Sequence, residues 1–105
     1  MSKKYIAVIL LESSSDASNY RPMYEESYVE ITALSEDDAQ KKAIELAKSR
    51  EASFDNKDGD KITWKFNQLV DIAESLDDSN GDIRELYSRH FHDIDAYKSM
   101  ETLAR

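Results

Sequence analysis

The sequence predicts an α+β fold: a single antiparallel sheet of about four to five strands, one main helix packed on one face, and a short C-terminal helix. Three observations lead there. Residues Tyr5 to Leu11 are apolar at both alternate sets of positions, which suits a strand covered on both faces in the middle of a sheet. From Tyr24 to Leu34 the pattern alternates, with Val29, Ile31 and Ala33 on one side and Tyr28, Glu30 and Thr32 on the other. After Ser35 the period becomes helical, and Ala39, Ala43, Leu46 and Ala47 form one stripe with Ile44 on its border.

The elements follow in order. Lys3 and Lys4 ahead of the first apolar run imitate a secretory signal, but Glu12 closes the run and no A-x-A cleavage site follows, so a buried strand is the expectation. The polar stretch Glu12 to Met23 holds the only proline, Pro22, and reads as a loop, either mobile or a binding loop. Tyr24 to Leu34 is then the hairpin partner of the first strand. Ser35 is the predicted N-cap of the main helix, with Asp38 completing a capping box and Leu34 stapling onto Ala39. Glu36, Asp37 and Asp38 at the start, with Lys48 and Arg50 at the end, suit the helix dipole.

A short strand, a turn at Asp58-Gly59 and a long strand come next, with Ile62, Trp64, Phe66, Val70 and Ile72 expected to face the helix. A second turn at Asn80-Gly81 leads to a strand carrying Ile83, Tyr87 and Phe91 on one face, expected to pair antiparallel with the long strand. Ile94, Tyr97, Met100 and Ala104 are spaced as a short helix, with Asp93 as its N-cap. No internal repeat or linker divides the chain, so residues 1–105 are read as one domain.

Composition narrows the function classes. Fourteen basic against twenty-two acidic residues give a formal net charge of -8, and the longest basic clusters are the pairs Lys3-Lys4 and Lys41-Lys42. Binding to a phosphate backbone needs clustered cations, so no nucleic-acid partner is expected. No apolar stretch reaches transmembrane length, and no membrane partner is expected. The absence of cysteine removes thiolate chemistry and suits a reducing cytoplasm.

The stretch "YSRHFHDIDAY" holds both histidines. His90 and His92 would be neighbours on one strand face, and with Asp95 they are the candidate metal ligands. Zinc or iron needs a fixed third ligand, however, and Asp93 is better used as a helix cap, so no metal site is expected. Glu25, Glu26 and Glu30 offer carboxylates for acid–base work, but an exposed charged face is the simpler expectation. The loops "DNKDGD" and "LDDSNGD" place Phe54 and Leu76 where a calcium loop needs a carboxylate, so both are turns.

The sequence has no nucleophile elbow, zinc-protease motif or phosphate-binding glycine loop, and its glycines, Gly59 and Gly81, both fall in turns. Trp64, Phe66, Tyr28 and Tyr87 could stack bases on an open sheet, but they are read as core. No catalytic residue and no cofactor is assigned.

The stretches "ITALSEDDAQKKAIELAK", "SFDNKDGDKITWKFNQLVDI" and "ELYSR" together resemble a family of small bacterial proteins, domain of unknown function 4288. The residues that carry the resemblance are Ala33, Ser35, Ala39, Ala43, Asn56, Gly59, Trp64, Phe66, Asp71, Tyr87, Ser88 and Arg89. It covers about Tyr5 to Arg89 and leaves the histidines and last helix as an extension. The resemblance implies a small cytoplasmic bacterial protein and brings no activity or cofactor. The expected function is therefore a non-catalytic protein-binding module, an inhibitor or immunity-type partner of a basic protein. The alternative is a metal-dependent enzyme using His90, His92 and a nearby carboxylate. A homodimer through a sheet edge would use the same surface as the first reading, leaving monomer and homodimer both open.

Overall fold

The computed structural model describes residues 2–75, 83–101 and 103–104. Its elements are β1 (Lys3–Ser15), β2 (Tyr24–Ala33), α1 (Glu36–Ser49), β3 (Ala52–Asp55), β4 (Lys61–Ser75), β5 (Ile83–Phe91) and α2 (Ile94–Met100). The strands form one five-stranded sheet in the order β3-β4-β1-β2-β5, with every pairing antiparallel. The fold is α+β.

β1 is central because its sequence demands cover on both sides. Tyr5, Ala7, Ile9 and Leu11 are buried in one cluster with Val29, Ile31, Ala33 and the α1 alanines Ala39, Ala43 and Ala47. Val8 and Leu10 point into a second cluster with Tyr24, Val70, Tyr97 and Ala104. A strand apolar at every position is buried on both faces for this reason.

β1 runs further than its apolar residues do. Ser13, Ser14 and Ser15 pair with Trp64, Thr63 and Ile62, so the expected loop from Glu12 is reduced to residues 16–23. Ser13 is fully buried yet satisfied: its hydroxyl donates to the Met23 carbonyl at 3.0 Å and accepts from the Met23 N–H at 2.8 Å. The Tyr20 hydroxyl completes the set at 2.7 Å. Backbone pairing to β4 decides the strand's length, and serine polarity is no obstacle once its hydroxyl is bonded.

Ser35 caps α1 as predicted, accepting from the Asp38 N–H at 3.1 Å. The reciprocal bond shifts by one residue: Asp38 accepts from the Leu34 N–H at 3.0 Å. Leu34 itself is 69 % exposed and makes no staple, since its amide is held by Asp38 while its side chain turns to solvent. β3 and β4 meet in the hairpin signalled by Asp58-Gly59. Asn56 Oδ1 accepts from the N–H groups of Asp58 and Asp60, and Gly59 takes φ +84, a conformation glycine adopts without strain.

Two pairings differ from expectation. β4 carries register shifts opposite Val8/Ile9 and Leu10/Leu11. Leu69 therefore joins Trp64, Phe66 and Ile72 against the α1-side cluster, while Val70 belongs to the second cluster. A bulge inserts one residue and reverses every side chain beyond it, which strict alternation cannot anticipate. β5 pairs with β2 and not with β4, because both edges of β4 are taken by β1 and β3. A bulge between Tyr28 and Val29 on that pair also places Ile83, opposite Ile31, on the other face from Phe91, opposite Tyr24. The expected Asn80-Gly81 turn lies outside the described residues.

The sheet curls. In a flat sheet β4 and β5, with β1 and β2 between them, would stand about 14 Å apart at strand spacings of about 4.8 Å. Yet the rings of Trp64 on β4 and His90 on β5 meet edge to face at 5.9 Å. Bulges increase local twist, and the β1–β4 and β2–β5 pairings both carry register shifts.

Candidate functional site

Two clefts open at the end of the sheet where β1 and β5 finish and β2 and β4 begin. The first, about 370 Å³, is lined by Leu11, Glu25, Arg50, Trp64 and His90. His90 Nε2 lies 2.7 Å from Glu25, and Arg50 donates to Ser27 Oγ at 3.3 Å and to Glu85 at 3.1 Å. Arg50 reaches there from the C-cap of α1.

The second cleft, about 390 Å³, lies between β5, α2 and the β1–β2 loop. Its apolar wall is a ring stack: Tyr24 on Phe91 at 5.5 Å and Phe91 on Tyr97 at 4.7 Å. The Arg89 guanidinium sits 5.9 Å and 5.7 Å from the Phe91 and Tyr97 centroids, and its Nε donates to Glu26 at 2.8 Å. Arg21, His92, Asp93, Ala96 and Met100 complete the lining.

The histidines thus part company. His90 is on β5 and lines the first cleft, whereas β5 ends at Phe91 and His92 lines the second. His92 Nδ1–H donates to the Pro22 carbonyl at 2.9 Å. Alternation no longer applies once the backbone turns into α2, so the expected shared face does not form. Asp95 is exposed on α2 and joins neither lining. Among the described residues no group of three or more His, Asp or Glu side chains could hold a metal. Changing both His90 and His92 to alanine should leave zinc, nickel or manganese uptake by tag-free protein weak and unchanged in a calorimetric titration. Tight, stoichiometric uptake lost in the double variant would refute this.

Asp93 caps α2, accepting from the Ala96 N–H at 2.9 Å. Asp93→Ala should cost about 1 kcal/mol, read by chemical denaturation.

The carboxylates bring a larger correction. Glu26 and Glu30, expected on an exposed face, are each only 2 % exposed. Alternation assigns them to the face opposite Val29 and Ile31 correctly, but Tyr24, Tyr97 and Ala104 cover that face near Glu26. They do not form an acid–base pair, because four residues of strand set them about 13 Å apart. Glu25 faces the other cleft. The aromatic set is also divided: Trp64 and Phe66 pack against one cluster and Tyr28 against the other, and the Tyr87 side chain lies outside the described part of the structure.

Tyr97 is the residue that sequence reasoning undervalued. Its hydroxyl is buried and is hydrogen-bonded by no group among the described residues. Burial first, and then the neighbouring Glu26 carboxylate, raise its phenol well above the ordinary value of 10.0. Tyr97's contribution to stability is therefore fully present below pH 10.0 and is lost as pH rises above it, because only the unfolded chain ionises there readily. Tyr97→Phe should match or exceed wild-type stability at pH 7, since it removes an unsatisfied buried group, and should flatten the alkaline limb of a stability–pH profile. A marked loss at pH 7 would mean the hydroxyl is bonded.

Residues 4–88 match a family model described as a domain of unknown function, DUF4288. The chain belongs to this family. No curated protein and no solved structure matches it. The DUF4288 match spans β1 to most of β5 and includes Leu11, Glu25, Arg50 and Trp64 of the first cleft. It ends before Arg89, so of the second cleft's lining only Arg21 falls inside it. Among the described residues no helix is long and apolar enough to cross a membrane.

Proposed function

We propose that this DUF4288 protein is a non-catalytic binding module of the bacterial cytoplasm that recognises a basic protein partner, as an inhibitor or immunity-type protein does, with α1 covering one face of its sheet. The observation that carries the reading is the sheet edge at β3. Ala52, Ser53, Phe54 and Asp55 are all exposed, Phe54 at 51 %. β3 ends the strand order, so no strand occupies its outer edge among the described residues, and its register with β4 is unbroken. Its surroundings lean acidic: Glu51 precedes the strand, and Asp55, Asp58 and Asp60 outnumber Lys57 and Lys61 in or beside its hairpin.

An extended basic segment added there would gain backbone hydrogen bonds, an apolar seat on Phe54 and complementary charge. The opposite edge, β5, is bulged, a device that blunts strand addition. The metal-dependent alternative draws no support from His90 and His92, which line different clefts.

The test is selection from displayed random short peptides, followed by NMR mapping. Enriched peptides should be basic and β-prone, should shift the amides of residues 52–55, and should lose about tenfold or more in affinity with Phe54→Asp, equivalent to about 1.4 kcal/mol. Added salt should weaken this binding, whereas a homodimer between chains of charge -8 would strengthen with salt. Enrichment of neutral or acidic peptides, or shifts confined elsewhere, would end the proposal.

A further inference from the structure

We propose that the second cleft, between β5, α2 and the β1–β2 loop, is a binding site for a carboxylate carried on a small apolar group. The protein is strongly acidic, at a net charge of -8, yet this cleft gathers Arg21, Arg89 and His92. Each is placed by a specific contact or element. Glu26, almost fully buried, holds the Arg89 Nε at 2.8 Å and turns the guanidinium along the edge of the ring stack. Pro22 holds His92 through its carbonyl, and the same bond fixes the loop beside Arg21. With Nδ1–H donating to that carbonyl, Nε2 is the ring atom left to face a ligand.

Size and charge select the ligand class. At about 390 Å³ the cleft is within the range of small-molecule sites and far larger than a bare anion needs. Phe91, Tyr97 and Ala96 offer apolar surface, with Met100, 77 % exposed, at the rim. Arg21 and Arg89 stand against Asp93 and Glu26, and Glu101 acts on Tyr97 from beside the lining, so the cleft offers two guanidiniums in surroundings of little net charge. A single negative charge can be held by these guanidiniums, whereas the two of a phosphate monoester would add to the acids around them. A carboxylate with an apolar body satisfies both requirements. Its source is either a free organic acid or the C-terminus of a peptide ending in an apolar residue.

The site is separate from the β3 edge, so the two readings stand or fall independently. The experiment titrates 3-phenylpropionate into the full chain by NMR, beside its neutral amide and phenyl phosphate. Saturable shifts confined to residues 89–101 and to Arg21 are expected, with the amide weaker by about tenfold or more. Arg21→Gln alters an exposed loop residue and should leave the melting temperature unchanged while lowering affinity by about tenfold. Ala96→Trp, at another exposed position, should fill the cleft and abolish the shifts. A peptide ending in Gly-Phe with a free C-terminus, compared with its amidated form, separates the sources: tighter binding than 3-phenylpropionate assigns the peptide terminus, weaker binding the free acid. Absent saturation, equal binding of the amide, preference for phenyl phosphate, or an unaffected Arg21→Gln variant would each overturn the proposal.

Discussion

Arg89→Ala should lower the stability of the fold by roughly 2–4 kcal/mol, somewhat less than the full cost of breaking a wholly buried ion pair. Glu26 is 2 % exposed and its carboxylate takes the Arg89 Nε–H at 2.8 Å. Removing the cation leaves a buried negative charge beside Tyr24, Phe91 and Tyr97, which offer it no comparable charged donor, although the vacated space opens toward the cleft and lets water offset part of the loss. Arg89 is itself 43 % exposed, which is why the estimate falls below the upper range. The truncation also removes a guanidinium packed beside two rings. Replacing both partners, as Glu26→Leu with Arg89→Leu, should recover most of the loss, because an apolar pair needs no compensation there. Urea denaturation of the two single variants and the double variant gives the coupling directly. A cost below about 0.5 kcal/mol for Arg89→Ala, the range of an ordinary surface change, would show that Glu26 does not depend on it.

That ion pair was not legible in the sequence, and the reason is general. Alternation along β2 correctly separates Val29, Ile31 and Ala33 from Tyr28, Glu30 and Thr32, because side-chain direction is a local property of the strand. Whether the polar side is covered depends on elements distant in the chain: α2 and its Tyr97 come some seventy residues after Glu26. A glutamate on a strand therefore reads as solvent-facing until its partner is located. The single hint was Arg89 in the "YSR" stretch, and nothing local joins it to Glu26.

Signals confined to a few residues carried much further. The caps at Ser35 and Asp93, the Asp58-Gly59 hairpin and the double-sided burial of β1 each rest on chemistry within one turn or one strand, and each is present. The bulges were invisible for the opposite reason. Val70 and Leu69 are both apolar, so either could have faced α1, and only the pairing with β1 chooses Leu69. The same shift on β5 splits Ile83 from Phe91. The separation of His90 from His92 is of this kind too. An H-x-H spacing fixes geometry only while the strand continues, and β5 stops between them.

Ala43→Leu should destabilise the protein by roughly 1–3 kcal/mol through overpacking. Ala39, Ala43 and Ala47 have no exposed surface, and they lie in one cluster with Tyr5, Ala7, Ile9 and Leu11, against which Trp64 and Phe66 also pack. Residues four apart share a helix face, so these three methyl groups form one strip of α1 within that buried cluster. Alanine there permits a close approach, and three added carbons at the middle position must push the helix away or force its neighbours off their rotamers. Leucine's helix propensity nearly equals alanine's, so any large loss comes from packing. Gln40→Leu, at an exposed position of the same helix, is the control and should change stability by no more than about 0.5 kcal/mol. In a domain of this size each kcal/mol lowers Tm by about 4–8 °C, which a thermal melt resolves. Equal melting of Ala43→Leu and wild type would mean that the strip does not bear on the strands and that α1 can ride outward at no cost.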